Sequence, residues 1–226
     1  LRQIAEATWV CGDPGMQYDT TINAWHTTPN AGRINGSNPC SEYMHMDNSA
    51  CNLASINVLM FHLLDGTFDV EGFRNAVDVI ILAQDIIVGF SSYPTAKITD
   101  NAKKFRQLGL GYANLGALLM SWGLPYDSDA GRAAAAGITA LMTGEAYAQS
   151  ARIAAEVGPF DGFAANREST LNVIAKHKYY GSEIPRAYGP EVLVQAAEKA
   201  WTDALALAQE HGVRNAQVSV LAPTGT

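Results

Sequence analysis

The sequence predicts an α/β domain. Long segments carry apolar residues at helical spacing, a short run near the end has strand character, and the stretch from Cys11 to Cys51 is dense in turn formers. Helices interleaved with a few short strands give that class, and the sheet they imply is incomplete within this chain.

The turn-dense stretch contains Gly12-Asp13-Pro14-Gly15, Thr28-Pro29-Asn30, Asn35-Gly36 and Asn38-Pro39, and reads as long ordered loops. Loops of this length in compact domains are usually functional. From Glu71 to Phe90, Phe73, Val77, Ile80, Ile81, Ile87 and Val88 fall on a helical period, and Pro94 follows as a stop. Between Asn101 and Trp122, the small residues Gly109, Gly111, Ala113, Gly116 and Ala117 leave a surface for close packing. Leu108-Gly109-Leu110-Gly111 there has the wrong glycine spacing for a dinucleotide fingerprint, so helix packing is expected of it. A further helix is expected over 130–156, with Ser128 or Asp129 as cap and Gly158-Pro159 as stop. The last helix runs from Pro190 to Gly212. Gln217 to Leu221 then reads as a strand leading into Pro223-Thr224-Gly225-Thr226. The chain stops within that small-residue loop, as expected of a fragment of a larger domain spanning 1–226.

With 226 residues and 48% hydrophobic residues, the chain can bury a large core, and disorder is not expected. The net charge of −7 argues against a broad nucleic-acid surface, although backbone N–H groups can still hold a single nucleotide phosphate. No apolar run is long enough to span a bilayer, so a cytoplasmic protein without membrane contact is expected. Three cysteines do not suggest a secreted disulfide framework and read as thiols available for redox or catalytic work.

The sharpest constellation is Ser37-Asn38-Pro39-Cys40-Ser41-Glu42. Pro39 biases Asn38 toward extended backbone, and in a strand alternate side chains share a face. Asn38, Cys40 and Glu42 would then offer one pocket an amide, a redox-active sulfur and a proton-accepting carboxylate. The same residues also suit a turn with a capping Asn, a small thiol and a solvated Glu. Cys51 approaches Cys40 only if the chain turns back between them, and otherwise reads as a buried structural cysteine. Nothing near Cys11 would activate its thiol. Zinc from Cys11, Cys40, Cys51 and His45 lacks the paired short spacings such sites use, so no metal ligands are assigned. Pro223-Thr224-Gly225-Thr226 suits phosphate, or an ordinary turn. The histidines His26, His45, His62, His177 and His211 read as structural. A thiol hydrolase built on Cys40 would need His45 as its base.

The run 38–42, followed by Ser49-Ala50-Cys51-Asn52-Leu53-Ala54-Ser55-Ile56-Asn57, resembles the catalytic loop of ribonucleotide reductase large subunits. The upstream run from Gly12 to Thr27 resembles the adenosylcobalamin-dependent class, and 108–111 and 221–226 match later family segments in the same order. The resemblance implies a ten-stranded α/β barrel with the Cys40 loop as a central finger. It implies Cys40 as the transient thiyl radical, Glu42 as base for the ribose 3′ hydroxyl, Asn38 as substrate orienter and Cys51 as half of a reducing dithiol whose partner lies upstream of Leu1. Ser37 to Glu42 and Pro223 to Thr226 would bind a ribonucleoside di- or triphosphate. Adenosylcobalamin would supply the radical; a thioredoxin-type or other dithiol and a second copy of the protein are the expected partners. The neighbouring alternatives are the class that takes its radical from a metal-containing subunit, which paired tyrosines near the C-terminus would favour, and an inactive piece needing complementation.

Overall fold

The computed structural model describes residues 1–188 and 190–224. In order they form α1 (Arg2–Cys11), α2 (Asp19–Ala24), β1 (Asn52–Asn57), a 3-10 turn (Val58–Phe61), α3 (Val70–Phe90), α4 (Ala96–Phe105), β2 (Leu108–Ala113), α5 (Leu115–Ser121), α6 (Asp129–Val157), α7 (Phe163–Ser182) and α8 (Glu191–His211). The expected helices over 71–90, 130–156 and 190–212 are α3, α6 and α8. Each start has a local cause. Asp69 accepts from the Gly72 N–H at 2.9 Å, Ser128 accepts from Gly131 at 3.0 Å, and Pro190 occupies the cap of α8. The turn-dense stretch is mostly loop, with α2 as its single short helix.

β1 and β2 pair in parallel, Leu53 opposite Gly109 and Ser55 opposite Gly111. The segment expected as a strand over 217–221 makes only an isolated parallel bridge, Ser219 to Leu110, along the other edge of β2. Leu108 N–H donates to Gln217 O at 2.8 Å, Leu110 N–H to Val218 O at 3.0 Å, and Val220 N–H to Leu110 O at 3.0 Å. β2 is therefore the middle of three hydrogen-bonded segments, which corrects the expectation of helix packing for 108–111. Alternating leucine and glycine fits a central position. Leu108 and Leu110 are fully buried, while a Cβ on Gly111 would lie 2.5 Å from Val220 O. Among the described residues the sheet has two strands with this third segment bridged to its edge, and the ten strands implied by the resemblance are not seen.

α3 packs over β1 and β2, and α6 lies against α3, α7 and α8. The α6–α8 contact is close because Gly144 faces Ala200 and Trp201, where an added Cβ would meet Ala200 Cβ and Trp201 N at 3.1 Å. A buried polar knot ties the layers together. Arg106 Nε and Asn215 Nδ2 both donate to Asp85 Oδ1, at 2.8 and 2.9 Å, and Ser150 Oγ donates to Asn215 Oδ1 at 2.8 Å. Pairing at every corner offsets the cost of burying the charges. Among the described residues no helix is long and apolar enough to cross a membrane.

Candidate functional site

The site begins with a tight turn. Ser37 and Met44 form an antiparallel bridge, Asn38 N–H donates to Tyr43 O at 3.4 Å, and Ser41 N–H donates back to Asn38 O at 3.0 Å. The Asn38 side chain accepts from Tyr43 N–H at 3.0 Å. Ser41 takes φ 64°, a left-handed conformation that reverses the chain. Of the two readings of 38–42, the turn closed by Asn38 holds and the extended one does not. Pro39 sits inside a turn whose arms are bonded to each other, so strand alternation does not set where its side chains point. Gln17 holds the turn from behind, its amide donating to the Ser37 and Ser41 hydroxyls.

The turn nevertheless brings Cys40 and Glu42 to one cleft. An outer cavity of about 760 Å³ is lined by Cys40, Ser41, Glu42, Thr139, Tyr180 and Trp201, among others. An inner one of about 360 Å³ lies against Trp25, His45 and Tyr147. Glu42, Thr143, His177 and Ser219 line both. Cys40 is exposed at the outer wall. Glu42 Oε2 is buried and has no hydrogen-bond partner among the described residues, an unmet acceptor facing a cavity. Asn38 does not line the cleft; its carbonyl oxygen is taken up in closing the turn.

Cys51 is a free thiol just before β1. Its sulfur lies over Gly109, 2.2 Å from where a Cβ would stand. Burial, and then the nearby Glu42 carboxylate, push its thiol up to about 12. Burial also raises the Tyr43 phenol, with the Cys51 charge adding to the effect. Cys11 is exposed at the end of α1, its thiol donating to Ala7 O at 3.3 Å. Pro223 and Thr224 are exposed beyond the third sheet segment, outside the cleft lining; Gly225 and Thr226 lie outside the described residues.

His45 is committed elsewhere. Its ring nitrogens meet Gln107 Nε2 at 3.1 Å and Thr28 Oγ1 at 3.5 Å, and burial, then His26, hold it down at about 3. That removes the base a Cys40 hydrolase would need. His26 bonds Gly32 O at 2.9 Å and also lines the inner cavity. His177 departs from the expectation of a structural histidine, because it lines the cleft. Sequence reasoning misses both Gln17 and His177. Gln17 falls in a loop whose partner is twenty residues away, and His177 stands on α7, a helix with almost no apolar stripe to mark which side faces inward.

The family model described as ribonucleotide reductase, barrel domain, matches residues 1–226. A vitamin B12-dependent ribonucleotide reductase of Streptomyces coelicolor is 54% identical over 100% of this chain and 24% of its own length. One from Rhodopirellula baltica is 53% identical over 100% of this chain and 22% of its own length. A vitamin B12-dependent ribonucleoside-diphosphate reductase of Mycobacterium tuberculosis is 34% identical over 73% of this chain and 24% of its own length. The chain thus spans about a quarter of the length of these relatives. A family match over every residue, with the turn, cleft and thiols already in place, shows that the chain belongs to the ribonucleotide reductase family, in its barrel domain.

Proposed function

We propose that this chain is the radical-bearing part of an adenosylcobalamin-dependent ribonucleotide reductase, reducing a ribonucleoside di- or triphosphate to its 2′-deoxy form for DNA synthesis. One observation carries the reading: Cys40 and Glu42 line a single cleft, with a Glu42 oxygen buried and unpartnered there. A Cys40 thiyl radical takes the ribose 3′ hydrogen atom, and Glu42 takes the proton of the 3′ hydroxyl. The 2′ hydroxyl leaves as water, a dithiol that includes Cys51 gives two electrons and two protons and becomes a disulfide, and Cys40 returns the hydrogen atom to C3′ and is again the radical. Asn38, the substrate orienter by the resemblance, acts through the turn it closes, which presents Cys40 to the cleft. Ser37, Pro39 and Ser41 line the approach, and the backbone of 223–226 holds phosphate.

When bound, the cofactor supplies the radical. The exposure of Cys40 fits it: a bulky group can reach Sγ from the open side of the cleft, and what these residues offer it is that sulfur. The relatives' names, each vitamin B12-dependent, support this class over the one that draws its radical from a metal-containing subunit. The reading extends to a ten-stranded barrel completed by further strands around the Cys40 finger, a thioredoxin-type or other dithiol as reductant, a homodimer, and a reducing cytoplasmic setting suited to three free thiols.

The test is deoxyribonucleotide formation by the full-length protein with adenosylcobalamin and a dithiol. Cys40→Ser should abolish turnover under any reductant, Cys51→Ser should abolish it with the dithiol, and Cys11→Ser should leave it intact. Turnover by Cys40→Ser would sink the radical reading, and activity only with a metal-radical subunit would move the protein to the other class.

A further inference from the structure

The cleft contains a second polar group with no hydrogen-bond partner among the described residues. The His177 ring stacks on Trp201 at 5.1 Å between centroids and 10° between planes. Trp25 closes the other side at 4.8 Å. Trp25 is itself held: Lys176 Nζ lies 4.1 Å from its ring centroid and donates to Ala24 O at 2.6 Å. The imidazole is therefore fixed in orientation before anything binds. Burial, and then the Lys176 charge, hold it down at about 4, so it is neutral near pH 7 and offers one N–H donor and one bare nitrogen acceptor. No hydrogen bond among the described residues contributes to its state. The ring is half-buried and its nitrogens take no partner among the described residues, so they are free to meet a molecule in the cleft.

What shares the cleft decides what that is. Glu42 lines the same two cavities and brings a buried acceptor oxygen without a partner. Thr143 and Ser219, which also line both, are bonded to each other at 3.0 Å. Two unmet groups thus remain, one accepting only and one able to donate. A molecule with neighbouring hydroxyls satisfies both, since each hydroxyl donates and accepts.

We propose that His177 is a substrate-positioning residue that hydrogen-bonds one ribose hydroxyl while Glu42 takes the adjacent one, so that the pair reads the sugar as a vicinal diol. This rests on the reductase reading above and adds the residue that recognises the second hydroxyl. The indoles of Trp25 and Trp201 set the ring's angle, and the hydrogen bond supplies the discrimination.

The experiment measures binding to the full-length protein, without cobalamin, of a ribonucleoside triphosphate and of its 2′-deoxy and 3′-deoxy counterparts. His177→Phe keeps an aromatic ring between the two tryptophans and removes both nitrogens. It should weaken the ribonucleotide about tenfold, the scale of one hydrogen bond, and should bind one deoxy counterpart as tightly as wild type does. His177→Gln, which restores a donor and an acceptor, should recover most of the loss. In turnover, KM should rise about tenfold with kcat within about threefold. Where the phenylalanine variant fails to melt cooperatively, His177→Leu, which also lacks any donor or acceptor, gives the same comparison. Equal loss across all three nucleotides, or unchanged ribonucleotide affinity, would overturn the role. Wild type that discriminates the sugars yet forms no deoxyribonucleotide sinks the reductase reading alone; an active wild type whose His177→Phe variant is indifferent to the sugar sinks this one alone.

Discussion

Cys51 and Gly109 are matched across the β1–β2 pair: the sulfur occupies the space a side chain at 109 would need, 2.2 Å from its Cβ position. Leu53 and Val220 close in on the same point, at 2.8 and 3.0 Å. Gly109→Ala should therefore displace the thiol, at a cost of about 1–3 kcal/mol, the usual range for overpacking a tight core. Urea unfolding of the full-length protein checks this, and a change below about 0.5 kcal/mol would show that the sulfur moves aside freely.

The thiols should separate by reactivity. The thiolate is the nucleophile, and burial with the Glu42 carboxylate nearby disfavours it at Cys51, whose thiol is pushed up to about 12. At about pH 8, iodoacetamide should label Cys51 far more slowly than the exposed Cys11 and Cys40. Glu42→Gln removes the negative charge, so Cys51 should then label faster. Site-resolved mass spectrometry reads both, and an unchanged Cys51 rate in Glu42→Gln would show that burial alone sets the thiol.

A pH dependence of stability should come from the α3–α6 contact. Asp78 is raised from 3.8 to about 6, first by burial and then by Glu145, against the opposing pull of Arg152 at 3.5 Å and of Arg74. Between those values the folded protein keeps a proton that the unfolded chain has lost. The contribution is present in acid and lost as pH rises through about 6. Asp78→Asn should thus gain stability relative to wild type on going from about pH 4.5 to about pH 7, measured by urea unfolding at each. A constant difference would sink the assignment.

Much of the helical frame is legible in the residues. α3 and α8 combine 3.6-residue apolar spacing with Asp69 and Gly212 at their ends, and α6 is marked by its Ser128 cap and Gly158-Pro159 stop, local chemistry that needs no knowledge of neighbours. β2 is illegible because Leu-Gly-Leu-Gly lacks β-branched residues, and its glycines make sense only beside Cys51 and Val220. α7 carries Asn166, Arg167, Glu168, Ser169 and Thr170 in one turn and a half, which hides its buried side. At the site, the types and order of Cys40, Glu42 and Cys51 are visible in sequence. That Gln17 braces the Cys40 turn from twenty residues away, and that His177 joins the cleft from 135 residues further on than Glu42, depends on long-range packing.

The sheet also fixes an order of assembly. Its third segment is secured to distant chain: Thr27 Oγ1 donates to Ala216 O at 2.8 Å across 189 positions, and Asn215 reaches Asp85 across 130. β1 and β2 can pair as soon as residue 113 is made, with α3 between them to shield one face. The far edge of β2 must then wait for more than a hundred further residues before Gln217 arrives. Closing so distant a contact is slow, and it leaves backbone donors on Leu108 and Leu110 open to other partners meanwhile. During synthesis, the period before residue 217 emerges is when this protein is most exposed to mispairing, and Leu-Gly-Leu-Gly, with little side chain to guard it, is where that would begin.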